Sequence, residues 1–272
     1  MALTFNGSNQ YIDSSIRIGP RLGFTCACWV KMSSDTTALL AAQYTAGVAS
    51  YFQFAYLAGG TLFCRIQQTI DTVYIQRNSN AGAISTGVWT HVAMTWNGGT
   101  TDAASMGYVN GTRVDTTNAG AGAFTGPSAS SIRFEIAAQN SGASPVPGAI
   151  ADMAVWHRPL CASEVMSLAR GARPLNVGSN ALEDFWPLDG YDYIADDLGY
   201  RRAIGVLVNG PTFVVGPPLL SPLRMRRDIQ GMGPDPSMFK TPTAVASAVV
   251  FRKTLSQIGG RVGSRQLQGW AS

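Results

Sequence analysis

Trp89-Thr90-His91-Val92-Ala93-Met94-Thr95-Trp96-Asn97-Gly98, with Tyr108-Val109-Asn110-Gly111 shortly after it, is the stretch on which the fold of this 272-residue chain turns. Successive side chains of a strand point to opposite faces, so His91 alternates with Thr90 and Val92 in a strand pattern. Asn110-Gly111 stands between Tyr108-Val109 and Arg113-Val114. Both central positions of a type I′ hairpin turn take positive φ, which Asn and Gly accept, so an antiparallel pair is predicted around it.

The same texture extends in both directions. Short alternating runs at Leu3–Phe5, Phe24–Met32, Tyr51–Tyr56, Leu62–Gln67, Val73–Arg77, Ser105–Val109, Ile132–Ala137 and Ala149–Trp156 are separated by Gly, Asn, Ser and Thr. Many short strands with turn residues between them predict an antiparallel sandwich or barrel. One helix is predicted, capped by Ser163, with Val165, Leu168 and Ala169 on one face and Arg170-Gly171 at its end. Gly, Ala and Ser crowd residues 118–131 and 140–148, which read as loops. No repeat of the length used by solenoids and propellers is present.

Composition agrees with a folded, loop-rich β chain: 13% charged, 46% hydrophobic and 30 glycines. The chain is long enough to bury a core without disulfide staples. Its net charge of +4 is unevenly spread. Residues 1–216 hold 12 Lys and Arg against 14 Asp and Glu, whereas residues 217–272 hold 8 against 2. Of the 20 basic residues 17 are Arg, which favours forked, partner-facing contacts. Cys26, Cys28, Cys64 and Cys161 are read as reduced, buried thiols, because Cys26 and Cys28 share one strand face and a bridge between them would be strained. The start, Met1 to Gly7, lacks a charged and then apolar leader, so no secretory signal is expected. No apolar run is long enough to span a bilayer, and no membrane partner is expected.

The opening stretch resembles the hallmark of laminin-G-like (concanavalin-A-like) jelly-roll domains, in which a W-x-H-V-A strand leads into a Y-V-N-G hairpin. Two more stretches agree in order: Leu3-Thr4-Phe5-Asn6-Gly7 with Tyr11-Ile12, and Ile150-Ala151-Asp152-Met153-Ala154-Val155-Trp156 leading through Arg158-Pro159-Leu160 into Ser163-Glu164-Val165. The resemblance covers residues 1–172. It implies an all-β fold, a two-sheet antiparallel jelly-roll sandwich with one short helix. In that family a Y-W-P-L-D…D-x-x-G stretch commonly precedes the F-N-G-S strand; here Phe185-Trp186-Pro187-Leu188-Asp189…Asp197-Leu198-Gly199 follows the helix. Residues 182–215 are therefore expected to supply, from the C-terminal side, strands that usually come from the N-terminal side. Residues 1–216 are read as one sandwich domain and 217–272 as an extended C-terminal arm.

Glucanases that this chain resembles in fold carry an E-x-D-x-E strand, and retaining hydrolysis needs two carboxylates about 5–5.5 Å apart. The chain has three glutamates, Glu135, Glu164 and Glu183, and Glu135-Ile136-Ala137-Ala138-Gln139 lacks both partners. An enzyme is not expected, and no catalytic residue is assigned. His91 and His157 are the only histidines; His91 reads as a structural histidine at a sheet surface. Gly120, Gly122 and Gly126 lie in an Ala/Ser loop without the strand and helix of a phosphate-binding motif. No cofactor is expected; Asp189, Asp192, Asp196 and Asp197 read first as solvated turn aspartates, and a structural calcium, which laminin-G-like domains often hold, is the alternative for this cluster. Trp29, Trp89, Trp96, Trp156 and Trp186 fall in strand patterns and read as core. Tyr44, Tyr51, Tyr191, Tyr193 and Tyr200 are the candidates for exposed stacking on a sugar.

The arm holds six of the 14 prolines and three aromatic residues, too few large apolar groups for a core of its own. Its docking candidates are Arg224, Arg226, Arg227, Val249, Val250, Phe251, Arg252, Lys253, Arg261, Arg265 and Trp270. Thr243–Phe251 has the composition of a strand added to another sheet edge or, alternatively, of a final strand packed on its own domain. Eight basic residues spread over the arm, without a recognition motif, do not make nucleic acid the expected partner. The combination is similar to bacteriophage structural proteins. The first expectation is a non-enzymatic virion decoration protein (head fibre, cement or accessory protein), made in the host cytoplasm and docked on capsid or other virion proteins, with homo-oligomers admitted. The alternative is a soluble carbohydrate-binding module whose partner is a glycan.

Overall fold

The alternating runs become strands in a computed structural model that describes residues 1–219 other than 15, 20, 21, 46–50, 70, 71, 129, 190–193, 197 and 201–203. The chain opens with β1 (Ala2–Asn6), β2 (Tyr11–Asp13), β3 (Phe24–Met32), β4 (Ala38–Gln43), β5 (Phe52–Leu57), β6 (Thr61–Thr69) and β7 (Val73–Ser79). Next come β8 (Thr90–Trp96), β9 (Ser105–Val109), β10 (Thr112–Arg113), β11 (Asp115–Asn118), β12 (Glu135–Ile136) and β13 (Pro147–Trp156). Helix α1 (Ala162–Ala169) precedes β14 (Leu182–Trp186), β15 (Ile194–Asp196), β16 (Ile204–Val208) and β17 (Thr212–Val214).

These strands form two antiparallel sheets, as an all-β jelly-roll sandwich requires. The first runs β10-β9-β8-β3-β13-β1-β17, with β14 also on β13; the second runs β11-β7-β6-β5-β4-β12-β2-β16-β15. β1 and β14 lie along the same edge of β13: β1 pairs with Pro147 to Ile150 and β14 with Met153 to Trp156. The segment after the helix thus completes both sheets, through β14 on β13, β17 on β1 and β16 on β2.

Period-two alternation puts Phe24, Cys26, Cys28 and Val30 of β3 on the inner face, where they meet Phe52, Phe54, Tyr56, Cys64 and Ile66 of the second sheet. Phe134 stacks between Phe52 and Trp186, with ring centroids 5.9 Å and 5.4 Å away. Cys26, Cys28 and Cys64 are free and buried, and burial raises their thiol pKa values, which keeps them protonated and inert. Cys161 departs from the expectation: it is exposed. It is also the residue that caps α1, in place of Ser163. The cap lies two residues earlier because the Glu164 carboxylate accepts the Cys161 N–H at 2.9 Å while Arg158 holds that carboxylate at 2.6 and 2.8 Å.

Two other expectations change. Of Ile132–Ala137 only Glu135–Ile136 is strand, and β4 was hidden because Ala38-Leu39-Leu40-Ala41-Ala42-Gln43 is buried on both faces and shows no alternation. The Asn110-Gly111 turn forms as expected, with φ of 49° and 80°. Asn110 is further held by its N–H donating to the His91 carbonyl at 2.8 Å and its Oδ1 accepting the His91 N–H at 3.0 Å. No helix among the described residues is long and apolar enough to cross a membrane.

The hairpin tip also seats the helix. A Cβ on Gly111 would lie 2.7 Å from Met166 Sδ and 2.9 Å from Met166 Cα. Gly111→Ala combines a left-handed φ with this overlap, so it is expected to destabilise the fold by about 2–4 kcal/mol. The urea midpoint is the measure, and a wild-type midpoint would mean that α1 does not rest on the turn.

Candidate functional site

His157 follows β13 directly and is exposed. Its N–H donates to the Ala181 carbonyl at 3.0 Å, which ties it to a turn of 3-10 helix at Ser179–Ala181. Gly178, at φ 57°, starts that turn; a Cβ there would meet Arg158 Nη2 at 2.8 Å and Leu160 Cδ2 at 2.9 Å. The turn leaves Ser179 and Asn180 exposed and delivers Leu182 and Glu183, both buried, to β14.

Across from the turn, the Leu198 N–H donates to the Phe185 carbonyl at 2.6 Å. Gly199 packs on the backbone of β14, where a Cβ would fall 2.5 Å from the Glu183 carbonyl oxygen. Between these segments is a cleft of about 560 Å³, lined by His157, Ser179, Asn180, Leu182, Glu183, Leu175 and Leu198 to Tyr200. Tyr200 is 90% exposed, and Leu175 and Leu198 expose 44% and 48%. Apolar surface of this kind, beside an imidazole, a hydroxyl and an amide, suits a ligand with one apolar face and a hydroxylated edge.

Of the other stacking candidates, the two that are described, Tyr44 and Tyr51, are not open in this way. Tyr51 is fully buried, Tyr44 is half-buried against Leu39 and Phe63, and Tyr191 and Tyr193 lie outside the described residues. Trp29, Trp96, Trp156 and Trp186 are buried as expected, and Trp89 is half-buried against Trp29. On the outer face of the second sheet the Arg65 guanidinium covers the Tyr74 ring at 3.9 Å. A second cleft, of about 390 Å³ and lined by Thr4, Lys31, Met32, Val214 and Val215 among others, contains no aromatic ring.

The helix side of the first sheet holds a buried polar group of a different kind. His91 lies edge-on to Trp29 at 5.4 Å and is 2% exposed, enclosed by Leu168, Ala172 and Pro174. The expectation of a surface position is corrected: α1 and the segment after it cover this part of the sheet. Burial pulls the His91 pKa down to about 3, so it is neutral. Asp152, 4% exposed, takes φ 48° where β13 exchanges β1 for β14. Arg173 Nη2 reaches Asp152 at 3.4 Å and Asp189 at 3.3 Å. Burial pushes Asp152 up to about 7, Arg173 opposing.

The three glutamates are on three elements. Glu135 on β12 accepts the Ser141 N–H, Glu164 on α1 is held down to about 2 by Arg158, and Glu183 lines the cleft from β14. Of the calcium candidates, Asp189 faces Arg173, a cation already in place. Asp196 is on β15, and Asp192 and Asp197 lie outside the described residues. Among the described residues no group of three His, Cys, Asp or Glu is arranged to hold a metal ion. The docking candidates Arg224, Arg226, Arg227, Val249, Val250, Phe251, Arg252, Lys253, Arg261, Arg265 and Trp270 also lie outside the described residues.

Asp152 and His91 give stability two opposed pH dependences. A folded aspartate at about 7, above its unfolded value of roughly 3.9, stabilises fully at low pH and loses that contribution as pH rises towards 7. A folded histidine at about 3, below its unfolded 6.5 or so, contributes above that value and loses the contribution as pH falls towards 3. Asp152→Asn, which tolerates the left-handed φ, is expected to make the urea midpoint rise more steeply from pH 4.5 to 6.5 than in the wild type. His91→Gln is expected to tilt the same plot the other way. Identical slopes in all three proteins would show that neither group titrates from a buried position.

The family model of the concanavalin A-like lectin/glucanases superfamily matches residues 6–166. A candidate carbohydrate binding protein from Bacteroides ovatus superposes with a TM-score of 0.58 at 19% identity, over 80% of this chain and 61% of that one. The chain therefore spans less than two thirds of that relative. A heptameric SAP-like pentraxin from Limulus polyphemus gives 0.48 at 17% identity, over 62% and 81% of the two chains. The CBM40 of Ruminococcus gnavus IT-sialidase, bound to alpha2,3 sialyllactose, gives 0.46 at 16%, over 62% and 96%. No curated protein matches the chain. The matched residues run from the end of β1 through β8 and the Asn110-Gly111 hairpin into α1, so the chain belongs to the concanavalin A-like lectin/glucanases superfamily.

Proposed function

We propose that this chain is a non-enzymatic carbohydrate-binding protein that takes a glycan into the cleft between His157, the Ser179–Ala181 turn and Tyr200. The observation that carries the reading is Tyr200, 90% exposed in a cleft that also holds Leu175, Leu198, Ser179 and Asn180. A pyranose offers a C–H face to an aromatic ring and hydroxyls to polar groups at its edge, and this cleft presents both. The superfamily, named for lectins and glucanases, and the fold shared with a candidate carbohydrate binding protein lend support. Binding without hydrolysis is favoured by the separation of the three glutamates onto β12, α1 and β14.

A second reading rests on the charge division: 8 basic against 2 acidic residues in 217–272 suit an arm that docks the sandwich on a capsid or other virion protein. Under it the protein is a virion component, and the arm and the cleft serve different partners.

A glycan array followed by calorimetry tests the first reading. Tyr200→Ala is expected to weaken the selected glycan at least tenfold, about 1.4 kcal/mol, with Tyr200→Phe close to wild type. An array without any bound glycan, or a Tyr200→Ala variant of unchanged affinity, overturns it. For the second, removal of residues 217–272 is expected to abolish co-assembly with the capsid while the sandwich keeps its thermal midpoint. Unchanged incorporation would refute the docking arm.

A further inference from the structure

We propose that residues 168–177, the last turn of α1 and the segment after it, form a proton-gated flap on the outer face of the first sheet. The flap is closed while the Asp152 carboxyl is protonated and is released from the sheet when that carboxyl ionises. The proposal does not depend on what the cleft binds.

Two titratable side chains are sealed beneath this segment. Leu168, Ala172 and Pro174 roof over Trp29, His91 and Asp152, and the space between them is too small for a water molecule. His91 is 2% exposed and Asp152 4%. Among the described residues neither His91 Nδ1 nor either Asp152 oxygen has a hydrogen-bond partner. A neutral carboxyl tolerates such a place far better than a carboxylate, which needs hydrogen bonds or water around it.

The charges that act on Asp152 come from three segments. Arg173 reaches it from the flap at 3.4 Å, Asp189, after β14, takes the same guanidinium at 3.3 Å, and the Met1 ammonium stands at the start of β1. Leu168 of α1 and Trp29 of β3 bring no charge, and His91 of β8, with its pKa at about 3, is neutral at and around pH 7. One cation divided between two carboxylates does not replace a hydration shell, and burial accordingly leaves Asp152 at about 7. Its proton leaves near neutrality. With no room for water inside, hydration of the carboxylate requires the roof to lift.

The attachments of the flap let it lift by itself. The N–H groups of Arg170, Gly171, Ala172, Asn176 and Val177 bond to carbonyls between Met166 and Pro174, within the segment's own turns. Leu168 and Val177 pack with Ala27, Ala154 and Trp156 in a cluster separate from the core between the sheets. Two polar ties join flap and sheet besides the ion pairs: Trp156 Nε1 donates to the Val177 carbonyl at 2.9 Å, and the Arg173 guanidinium lies 5.4 Å from the centre of the Phe185 ring. Release therefore leaves the strand ladders in place. Upstream, the Arg158–Glu164 pair at 2.6 Å and the seat of Met166 on Gly111 hold the start of α1 and place the hinge beyond it. Because Leu175 lies on the flap and lines the cleft, release also moves one wall of the cleft.

The test is hydrogen exchange of the full chain at pH 5.5 and 8.5, read as protection factors so that the intrinsic rise of exchange with pH is divided out. A carboxyl at about 7 when sealed and roughly 4 when hydrated predicts about a 30-fold gain in opening over this range. Protection of residues 168–177 is expected to fall at least tenfold, and at pH 8.5 to lie at least tenfold below that of β3 and β8. Asp152→Asn is expected to abolish the fall; Asp152→Gly, which also accepts the left-handed φ, serves the same purpose if the amide variant does not fold. Protection of the flap equal to that of β3 and β8 at both pH values would mean that it opens only when the whole sandwich unfolds, and overturns the proposal. A fall that persists without the carboxyl overturns it too, because another group would then be the gate.

Discussion

Strand β13 carries three neighbours on two edges, and the rest of the sandwich is arranged around that demand. One edge is taken by β3 along nearly its whole length. The other is divided between β1 and β14, which meet β13 end to end from opposite parts of the chain. A strand cannot change partners without a local break in its ladder, and the break falls at Asp152, where φ turns to 48° and the register with β3 shifts between Ala151 and Ala154. Aspartate is among the few residues that accept this conformation at modest cost. Its amide is satisfied by the Pro187 carbonyl at 3.1 Å, so the exchange leaves that donor paired.

The carboxylate is the less comfortable half of the arrangement. It is buried at the break, and Arg173 is the cation that reaches it, shared with Asp189. Arg173 leads directly into the turn that bears Leu175, while Asp189 follows β14, whose first residues form the cleft floor. The same ion triad that compensates the charge at the strand break thus ties together the two segments that wall the cleft. Fold and site share a structural element, which is why the cleft lies beside β14 and not on the open face of the second sheet.

Legibility in the sequence followed burial. Phe24–Met32, Thr90–Trp96 and Ser105–Val109 coincide with observed strands. β4 has no polar face to mark it, since it is covered on both sides, and so it was silent. Asn110-Gly111 announced its turn by backbone chemistry alone, but its second task, seating Met166 of α1, depends on where the helix comes to rest. The displaced family-like stretch at Phe185–Asp189 correctly indicated that strands within residues 182–215 complete the sandwich. The five tyrosines set out as stacking candidates were equivalent in sequence, and the residues around Tyr200 carry no motif that separates it from Tyr51.

What the sequence determined by itself was the class of fold, the Asn-Gly hairpin, the inward-facing thiols of Cys26 and Cys28 and the unequal division of charge. Those features depend on alternation, on φ preference and on counting, all local properties of the chain. Tertiary structure alone decided that Tyr51 is sealed in the core while Tyr200 stands 90% in solvent, that His91 lies under α1, and that His157, Asn180 and Tyr200 line one cleft. Exposure and convergence are relations between segments far apart in sequence, and only the packing of β14 onto β13 brings those segments together.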